Sequence, residues 1–253
     1  MEFPSKKIKI LCVIPSRLRS TRLPRKPLAL IDGKAMVQWV YEAAVKCKDF
    51  TKVIVATDAI EIADIIRNVG GQIEMTPSEL MTGSDRVAFV SKKYNDYDVV
   101  VNLQGDEPFV TPEMLSTLVE PFKNDSSVVM STLASPFKYE SDYNDPNTVK
   151  VIFDKNFDAI YFSRSPIPFF REGVREVPVA AHLGMYAYKR EFLQKYTDFK
   201  QTELEKAELL EQLRVIENGY KIRVGFTDKR IVEINTPEEL ELAQAYAKSL
   251  KNI

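Results

Sequence analysis

Short apolar runs alternate with helix-like patterns along the first half of the chain. Runs rich in valine and isoleucine predict buried strands, and they lie at 8–14, 52–57 and 98–103. Apolar residues spaced by three and four positions predict helices, at 36–46, 62–69, 84–93 and 112–122. Two glycines at 70–71 end the second helix, and Thr111 caps the fourth, which Pro112 begins. This alternation predicts a Rossmann-like α/β fold with a mostly parallel sheet and helices on both faces.

The second half of the chain has a less regular pattern. Short strands are predicted at 128–134, 149–153, 159–162, 182–188, 222–226 and 231–234. A long helix is predicted over 204–217 and a closing helix over 237–250. Segment 164–178 has three prolines and no clear period, so it is interpreted as an excursion or lid, with a dimer contact as another use.

Composition narrows the classes of function. The chain has 253 residues, a formal net charge of −1 and 45% hydrophobic residues, so it can bury a sizeable core and lacks the basic field of a nucleic-acid binder. Its two cysteines, Cys12 and Cys47, have neither disulfide nor zinc spacing. No apolar run approaches the roughly 18 residues of a membrane span. We therefore expect a cytoplasmic protein with no nucleic-acid or membrane partner.

Five basic residues follow the first predicted strand, within the segment 15–27 (PSRLRSTRLPRKP). Most charge runs are solvated surfaces, and composition alone leaves this alternative open. The position favours a second interpretation, because ligands bind at the carboxyl ends of strands in such sheets. Side chains there can hold a polyphosphate through charge-assisted hydrogen bonds. The segment has no glycine, which excludes a Walker loop and a dinucleotide fingerprint.

Two carboxylates follow the third predicted strand, in 102–108 (NLQGDEP). Asp106 can ligate Mg²⁺, which prefers hard oxygen ligands, although for this segment taken alone a plain turn is the better explanation of a Gly-Asp pair. The metal hypothesis gains weight from the basic segment, and it requires that segment and Asp106 to converge around one triphosphate-bound cation. Thr57-Asp58 is interpreted as a helix N-cap, and the lone His182 as a structural or hydrogen-bonding residue.

These segments together resemble one family, the CMP-Kdo synthetases, which are 3-deoxy-manno-octulosonate (Kdo) cytidylyltransferases. The resemblance covers nearly the whole chain in order, through PSRLRSTRLPRKP, GKAMVQWVYEAA, VIVATD, TGSDR, VNLQGDEP, DPNTVKV, AIYFSRSPIP, HLGMYAY, LEKAELLEQLR and NTPEEL. It implies a nucleotidyltransferase that joins CTP to Kdo, releases pyrophosphate and supplies lipopolysaccharide synthesis. It also implies Mg²⁺ as cofactor, a homodimer, and one domain over 1–253 with a CTP-binding half at about 1–130 and a sugar-binding and dimerisation part at about 131–253.

The resemblance also implies a role for each matching residue. The expected CTP-binding residues are Arg17, Ser20, Arg22, Lys26, Thr82, Gly83, Ser84 and Arg86, of which Arg17 and Lys26 act with Asp106 in catalysis. The expected ligands of the acidic 3-deoxy sugar are Gln104, Arg164, His182, Tyr186, Glu211 and Gln212. The expected metal ligands are Asp106 and Asn235.

Two positions depart from the family pattern. Asn235 stands where the family usually has an aspartate that binds Mg²⁺, so one negative charge is lost while a carbonyl oxygen remains; an N-cap of the closing helix is its alternative role. Leu80 stands where many members have a histidine. Three alternatives therefore remain: the same reaction on 8-amino-Kdo, the same reaction on another acidic sugar, and a non-catalytic nucleotide-binding homologue.

Overall fold

The computed structural model describes residues 8–18, 23–80, 82–171, 179–229, 234 and 236–250. The chain forms two compact units, one from Met1–Ser116 with Ile231–Ile253 and the other from Thr117–Arg230. In the part of the chain that is described, no helix has both the length and the apolar character needed to cross a bilayer.

The first unit is built on a parallel sheet. Its elements are β1 (Ile10–Ser16), a short 3₁₀ helix (Lys26–Leu28), β2 (Leu30–Ile31), β3 (Lys34–Ala35), α1 (Met36–Lys46), β4 (Lys52–Thr57), α2 (Ile60–Asn68), β5 (Gln72–Met75), α3 (Gly83–Ser91), β6 (Val99–Asn102), the start of α4 (Pro112–Asn124) and the closing helix α9 (Pro237–Leu250). Strands β6, β1, β4 and β5 lie side by side in that order and all run parallel. Strands β2 and β3 form a separate antiparallel hairpin.

Helices cover both faces of this parallel sheet. The chain moves from β1 through α1 to β4 and through α2 to β5, and α3 then returns it to β6 on the other side of β1. Because strand–helix–strand crossovers are right-handed, a reversal of direction places α3 on the face opposite α1 and α2. The contacts agree, since α1 packs on β1 and β4, α2 on β4 and β5, and α3 on β1 and β6. The predicted α/β class is therefore confirmed.

The core of the first unit holds both cysteines. Cys12 lies in β1 with no exposed surface, and Cys47 follows α1 with its Sγ 3.6 Å from Ser116 Oγ. Both thiols are free, and burial raises the pKa of Cys12 well above its ordinary value. Helix α9 closes the unit by packing Ala243 and Ala247 into a cluster with Met36. The described capping bonds of α9 come from Thr236 and Glu239, while Asn235 lies outside the described residues.

The second unit has a mixed sheet. Its elements are the end of α4, β7 (Met130–Ser135), α5 (Glu140–Asn144), β8 (Lys150–Phe153), β9 (Ala159–Ser163), β10 (Val179–Lys189), α6 (Arg190–Thr197), α7 (Glu203–Glu208), α8 (Leu213–Glu217) and β11 (Arg223–Phe226). Strand β11 pairs parallel with β7. The other pairs, β7 with β10, β10 with β8 and β8 with β9, are antiparallel.

The single helix predicted over 204–217 is wrong, because the structure has two helices there. Leu209 adopts a left-handed conformation with φ of 53°, which ends α7, and α8 begins at Leu213. Arg214 then reaches back to Glu205, with Nε 2.7 Å from one carboxylate oxygen and Nη2 2.5 Å from the other. This buried ion pair and the burial of Leu210 stabilise the break, and neither is visible as helical periodicity.

Other differences are local. The predicted N-cap at Thr57-Asp58 is wrong, since Ala59 occupies the cap of α2 without a side-chain bond and Thr57 Oγ1 accepts from the Ala59 N–H at 3.1 Å. The sequence patterns also did not predict the β2–β3 hairpin, β5, α5 and α6. Residues 231–233 of the predicted strand at 231–234, and residues 172–178 of the predicted lid at 164–178, lie outside the described residues.

Candidate active site

The carboxyl ends of β1 and β6 meet at the point where the strand order reverses. The chain leaves β1 toward β4 on one side and enters β6 on the other, which defines the crevice where open α/β sheets bind ligands. The turn after β6 lies directly against the end of β1. A Cβ on Gly105 would be 3.2 Å from the Pro15 carbonyl oxygen and 3.3 Å from Ser16 Oγ. The missing side chain of Gly105 therefore allows the two strand ends to approach.

Lys26 and Asp106 form an ion pair in this crevice. Lys26 begins the short 3₁₀ helix after Arg25, whose backbone is left-handed with φ of 55°. Its Nζ lies 2.5 Å from Asp106 Oδ2, and the lysine side chain is only 9% exposed against 37% for the aspartate. The basic segment and Asp106 therefore meet at Lys26, and their convergence around one triphosphate-bound cation stays a prediction. A buried ammonium group beside a partly exposed carboxylate can meet a phosphate and a metal ion at one place.

Arg17 directly follows the last residue of β1. Its side chain is exposed, and its Nη1 donates to the Leu80 carbonyl oxygen at 3.4 Å. The positive charge of Arg17 also contributes to the lowered pKa of Arg86, so these two guanidinium groups are neighbours. Ser20 and Arg22, the other expected phosphate ligands, lie outside the described residues.

The TGSDR segment forms the beginning of α3. Thr82 and Asp85 make a capping box, in which Thr82 Oγ1 accepts from the Asp85 N–H at 3.0 Å and Asp85 Oδ2 accepts from the Thr82 N–H at 3.1 Å. A Cβ on Gly83 would be 3.2 Å from Gln104 Nε2, so Gly83 leaves room for that amide. Gln104 in turn donates to Asn102 Oδ1 at 2.9 Å. The helix start and the β6 end therefore support each other.

Two of the expected CTP ligands in this segment are buried. Ser84 is 3% exposed, and Arg86 is fully buried beside Thr76 and Asp58. Burial lowers the pKa of Arg86, and the Asp58 carboxylate opposes that shift from 3.6 Å. The guanidinium Nε and Nη2 have no hydrogen-bond partner among the described residues. Arg86 thus holds the ends of β4 and β5 against α3, and its predicted contact with CTP stays a prediction.

Arg164 is the central cation of the second unit's candidate site. It follows β9, and its Nε donates to the Glu208 carbonyl oxygen at 2.7 Å while Nη1 donates to the Pro146 carbonyl oxygen at 3.1 Å. Within the described part of the chain, no protein acceptor is assigned to Nη2. The guanidinium is therefore held by backbone carbonyls, which leaves N–H groups for an anionic ligand such as a carboxylate.

His182 lies on β10 in a polar and aromatic environment. Its Nε2 is 2.9 Å from Thr132 Oγ1, which also lies 3.2 Å from the Leu183 carbonyl oxygen and 2.9 Å from that of Met185. Carbonyl oxygens only accept, so all groups are satisfied when the threonine donates to a carbonyl and His182 Nε2–H donates to the threonine. Burial lowers the pKa of His182 to about 3, so the ring is neutral and Nδ1 is its acceptor.

The remaining expected sugar ligands lie near His182 or after α7. The Tyr186 ring centroid is 5.6 Å from that of His182. Glu211 and Gln212 lie between α7 and α8, where Gln212 is 4% exposed and the Glu211 carbonyl oxygen accepts from Tyr196 Oη at 3.3 Å. The hypothesis that these two residues lie on one continuous helix is therefore wrong.

The metal site is tested by the donor atoms around Asp106. Among the described residues, no group of three or more His, Cys, Asp or Glu side chains is arranged to hold a metal ion. Mg²⁺ keeps several waters and is commonly bound by one or two carboxylates together with substrate phosphates. Asp106 can be such a carboxylate, and Asn235, the second expected ligand, lies outside the described residues.

The sheet and its crevice define an α/β protein with a cation and a carboxylate at the switch point, where such sheets bind ligands. The sequence profile of the family described as Cytidylyltransferase matches residues 11–222. The 3-deoxy-manno-octulosonate cytidylyltransferase of Acaryochloris marina is 51% identical over 238 residues, which cover 94% of this chain and 96% of the relative. The enzyme of the same name from Fusobacterium nucleatum is 43% identical, covering 95% of this chain and 98% of its own. The chain belongs to the cytidylyltransferase family.

Solved structures agree with this assignment. A structure of CMP:2-keto-3-deoxy-manno-octonic acid synthetase complexed with CTP matches with a TM-score of 0.91 and 37% identity, covering 96% of this chain and 99% of that one. The 4-diphosphocytidyl-2C-methyl-D-erythritol synthase of Anaerococcus prevotii matches with a TM-score of 0.64 at 18% identity, which shows a shared fold alone.

Proposed function

We propose that this chain transfers the cytidylyl group of CTP to Kdo and releases pyrophosphate. The observation that carries the proposal is the pair of Lys26 and Asp106 at the crevice between β1 and β6. The names of the relatives and the CTP complex of the similar structure support it. The sugar's anomeric hydroxyl attacks the α-phosphorus in line, so the protein's main tasks are to position both substrates and to neutralise charge.

The first unit binds CTP in this proposal. Arg17 and Lys26 donate charge-assisted hydrogen bonds to phosphate oxygens and stabilise the leaving pyrophosphate. The family resemblance adds Ser20 and Arg22 to the phosphates, and the start of α3 (Thr82, Gly83, Ser84 and Arg86) to the base. Gln104, fixed by its bond to Asn102, offers its amide to the sugar.

Mg²⁺ is the proposed cofactor, with Asp106 as its carboxylate ligand and Asn235 as the second. Bound there, the ion neutralises phosphate charge and lowers the pKa of the attacking hydroxyl. The partly exposed Asp106 carries the negative charge that this ligand set needs, and it would hold the ion from its place beside Lys26. Lys26 would bind the triphosphate next to that ion.

The second unit binds the acidic sugar in this proposal. Arg164 pairs its remaining N–H groups with the carboxylate, which a guanidinium group suits well. The neutral His182 accepts a hydrogen bond from a sugar hydroxyl through Nδ1, because Nε2 is committed to Thr132. Tyr186, Glu211 and Gln212 supply further polar contacts, in line with the resemblance.

A pyrophosphate-release panel tests the proposal. CTP, UTP, ATP and GTP are each combined with Kdo, 8-amino-Kdo and sialic acid, with Mg²⁺ or with a chelator. We expect release only with CTP, strongest with Kdo, and abolished by the chelator. Faster turnover of 8-amino-Kdo than of Kdo would show that 8-amino-Kdo is the preferred substrate. Tight CTP binding without turnover of any sugar would identify a non-catalytic homologue. The homodimer and the cytoplasmic location belong to the same proposal, and light scattering tests the first.

A further inference from the structure

Glu208, the last residue of α7, binds two consecutive residues at the end of β9. Its Oε1 accepts from Ser163 Oγ at 2.6 Å and its Oε2 accepts from the Arg164 N–H at 2.9 Å. Its carbonyl oxygen accepts from Arg164 Nε at 2.7 Å. Ser163 is 2% exposed, and its Oγ also accepts from the Ser165 N–H at 3.0 Å. One glutamate therefore fixes both the backbone and the side chain of Arg164.

The same glutamate lies at the turn that leads to two other expected sugar ligands. Leu209 follows it in a left-handed conformation, and the chain then passes through Glu211 and Gln212 before α8 begins. The position of this turn is set from the α7 side by Glu208. The bonds of Glu208 thus connect Arg164 to the segment that carries Glu211 and Gln212.

Lys150 holds Arg164 from the opposite side. The lysine has no exposed surface, and its Nζ donates to the Arg164 carbonyl oxygen and, at 3.0 Å, to the Asp145 carbonyl oxygen. Burial lowers the pKa of Lys150, and the negative charges of Asp145 and Glu208 oppose that shift. Arg164 is accordingly bound at its N–H and its carbonyl oxygen as well as at Nε and Nη1. This is a rigid support for a side chain that must meet a carboxylate at fixed geometry.

We propose that Glu208 is a positioning residue for the acidic sugar, which it serves by fixing the Arg164 guanidinium and the turn to Glu211 and Gln212. The inference rests on the proposed function, because it presumes that Arg164 receives the sugar's carboxylate. Glu208 acts through Arg164 and does not itself contact the sugar. Its removal should therefore weaken the use of the sugar and leave the use of CTP unchanged.

The test is steady-state pyrophosphate release by Glu208→Gln, with each substrate varied in turn. The amide keeps the volume but loses the charge and one acceptor oxygen. The bond to the Arg164 N–H becomes a neutral one, and Ser163 Oγ can then only accept from the amide N–H instead of donating to a carboxylate. We expect the KM for Kdo to rise about 10- to 100-fold, the scale of a displacement near 1 Å at a substrate contact. The KM for CTP should change less than about twofold. Glu203→Gln is the matched control, since Glu203 lies on the same helix, 87% exposed, and pairs only with Lys206 among the described residues.

The carboxamide of Kdo separates positioning from a general structural effect. If Glu208 acts through the carboxylate contact, Glu208→Gln and wild type should differ about 10-fold or more with the acid but less than about threefold with the amide. Equal losses with acid and amide, a parallel rise in the KM for CTP, or an unchanged KM for Kdo would each overturn the inference. If Glu208→Gln fails to fold, Ser163→Ala removes the Oε1 contact, together with the bond from the Ser165 N–H, and keeps the Arg164 N–H bond to Glu208. It should still raise the KM for Kdo selectively, and no selective rise there overturns the inference.

Arg164→Ala distinguishes this inference from the proposed function. A wild-type enzyme that releases no pyrophosphate with any sugar refutes the function itself. If the wild type is active and Arg164→Ala raises the KM for the acid and for the amide of Kdo equally, the carboxylate contact is refuted, and the role of Glu208 is refuted with it. If Arg164→Ala loses more activity with the acid than with the amide and Glu208→Gln does not, only the role of Glu208 is refuted.

Discussion

Replacing Asp106 by asparagine removes one charge of the central ion pair at nearly constant volume. The pair is short, at 2.5 Å, and its lysine partner is 9% exposed, whereas Asp106 is 37% exposed. A hydrogen bond to a charged group contributes ~1.5–3 kcal/mol, and solvent at the aspartate replaces part of that contribution. We therefore expect a loss of ~1–2 kcal/mol in the free energy of unfolding, which lowers the melting temperature of a chain this long by roughly 2–8 °C.

The effect of Asp106→Asn on catalysis should be much larger than its effect on stability. Loss of one preorganised electrostatic group at the reacting phosphates lowers kcat by about two to three orders of magnitude. Pyrophosphate release at saturating Mg²⁺ measures this loss, and thermal unfolding measures the stability. Asp96→Asn is a matched control, because Asp96 is 60% exposed and pairs with Lys9 at the surface of the same unit. Its rate and melting temperature should stay at the wild-type values.

The pairing itself is tested with Lys26→Met alone and in combination with Asp106→Asn. Because the two side chains are in direct contact, the free energies of unfolding should be non-additive by ~0.5–3 kcal/mol. Additive effects would show that the ion pair is not formed in solution. Near-normal pyrophosphate release by Asp106→Asn would refute the placement of the metal and phosphates at this crevice.

Three further predictions concern stability. Burial lowers the pKa of His182 to about 3, whereas the ordinary pKa of histidine in the unfolded chain is near 6.5. Between these two values only the unfolded chain gains a proton, so the free energy of unfolding is full above pH 6.5 and is lower by ~1–2 kcal/mol at pH 5. Denaturant titrations should show that His182→Gln removes this pH dependence. Gly71→Ala places a Cβ 2.9 Å from the Ile66 carbonyl oxygen and should lower the free energy of unfolding by ~1–3 kcal/mol in urea melts. Glu205→Gln breaks the buried pair with Arg214 and should lower it by ~3 kcal/mol, measured by thermal unfolding.

Each of these three stability predictions has a clear contrary result. An identical pH slope in wild type and His182→Gln would mean that the imidazole is protonated in the folded state. Wild-type stability of Gly71→Ala would place the end of α2 differently, and a neutral Glu205→Gln would show that the ion pair does not hold α7 and α8 together.

The sequence predicted the parallel framework because its signals are local. Buried parallel strands form apolar runs and their helices form stripes, so β4, α1 and α9 were bounded to the residue. The meeting of Lys26 and Asp106 was predictable as well, since the carboxyl ends of parallel strands share one edge of the sheet. The second prediction joins residues 80 positions apart, and it needed only the rule that parallel strands end at one edge.

The features that were missed depend on partners far along the chain. Asp58 was predicted to cap a helix, but in the structure it pairs with Arg86, 28 positions away (86 − 58). The two residues meet because the chain returns to the same edge of the sheet between them. The left-handed Leu209 interrupts a pattern that remains periodic through it. Glu208 binds a backbone N–H as well as a hydroxyl, and Lys150 binds two backbone carbonyl oxygens. Backbone groups leave no mark in the sequence.

The buried cysteines of the first unit make the two units separable in experiments. Both thiols, and also the single tryptophan at position 39, belong to the first unit, while the single histidine belongs to the second. Alkylation of Cys12 and Cys47 under native conditions therefore reports only those openings that expose the core around β1. If thiol labelling and the His182 NMR signal follow different denaturant dependences, the units unfold in separate steps; coincident curves would reveal one cooperative transition.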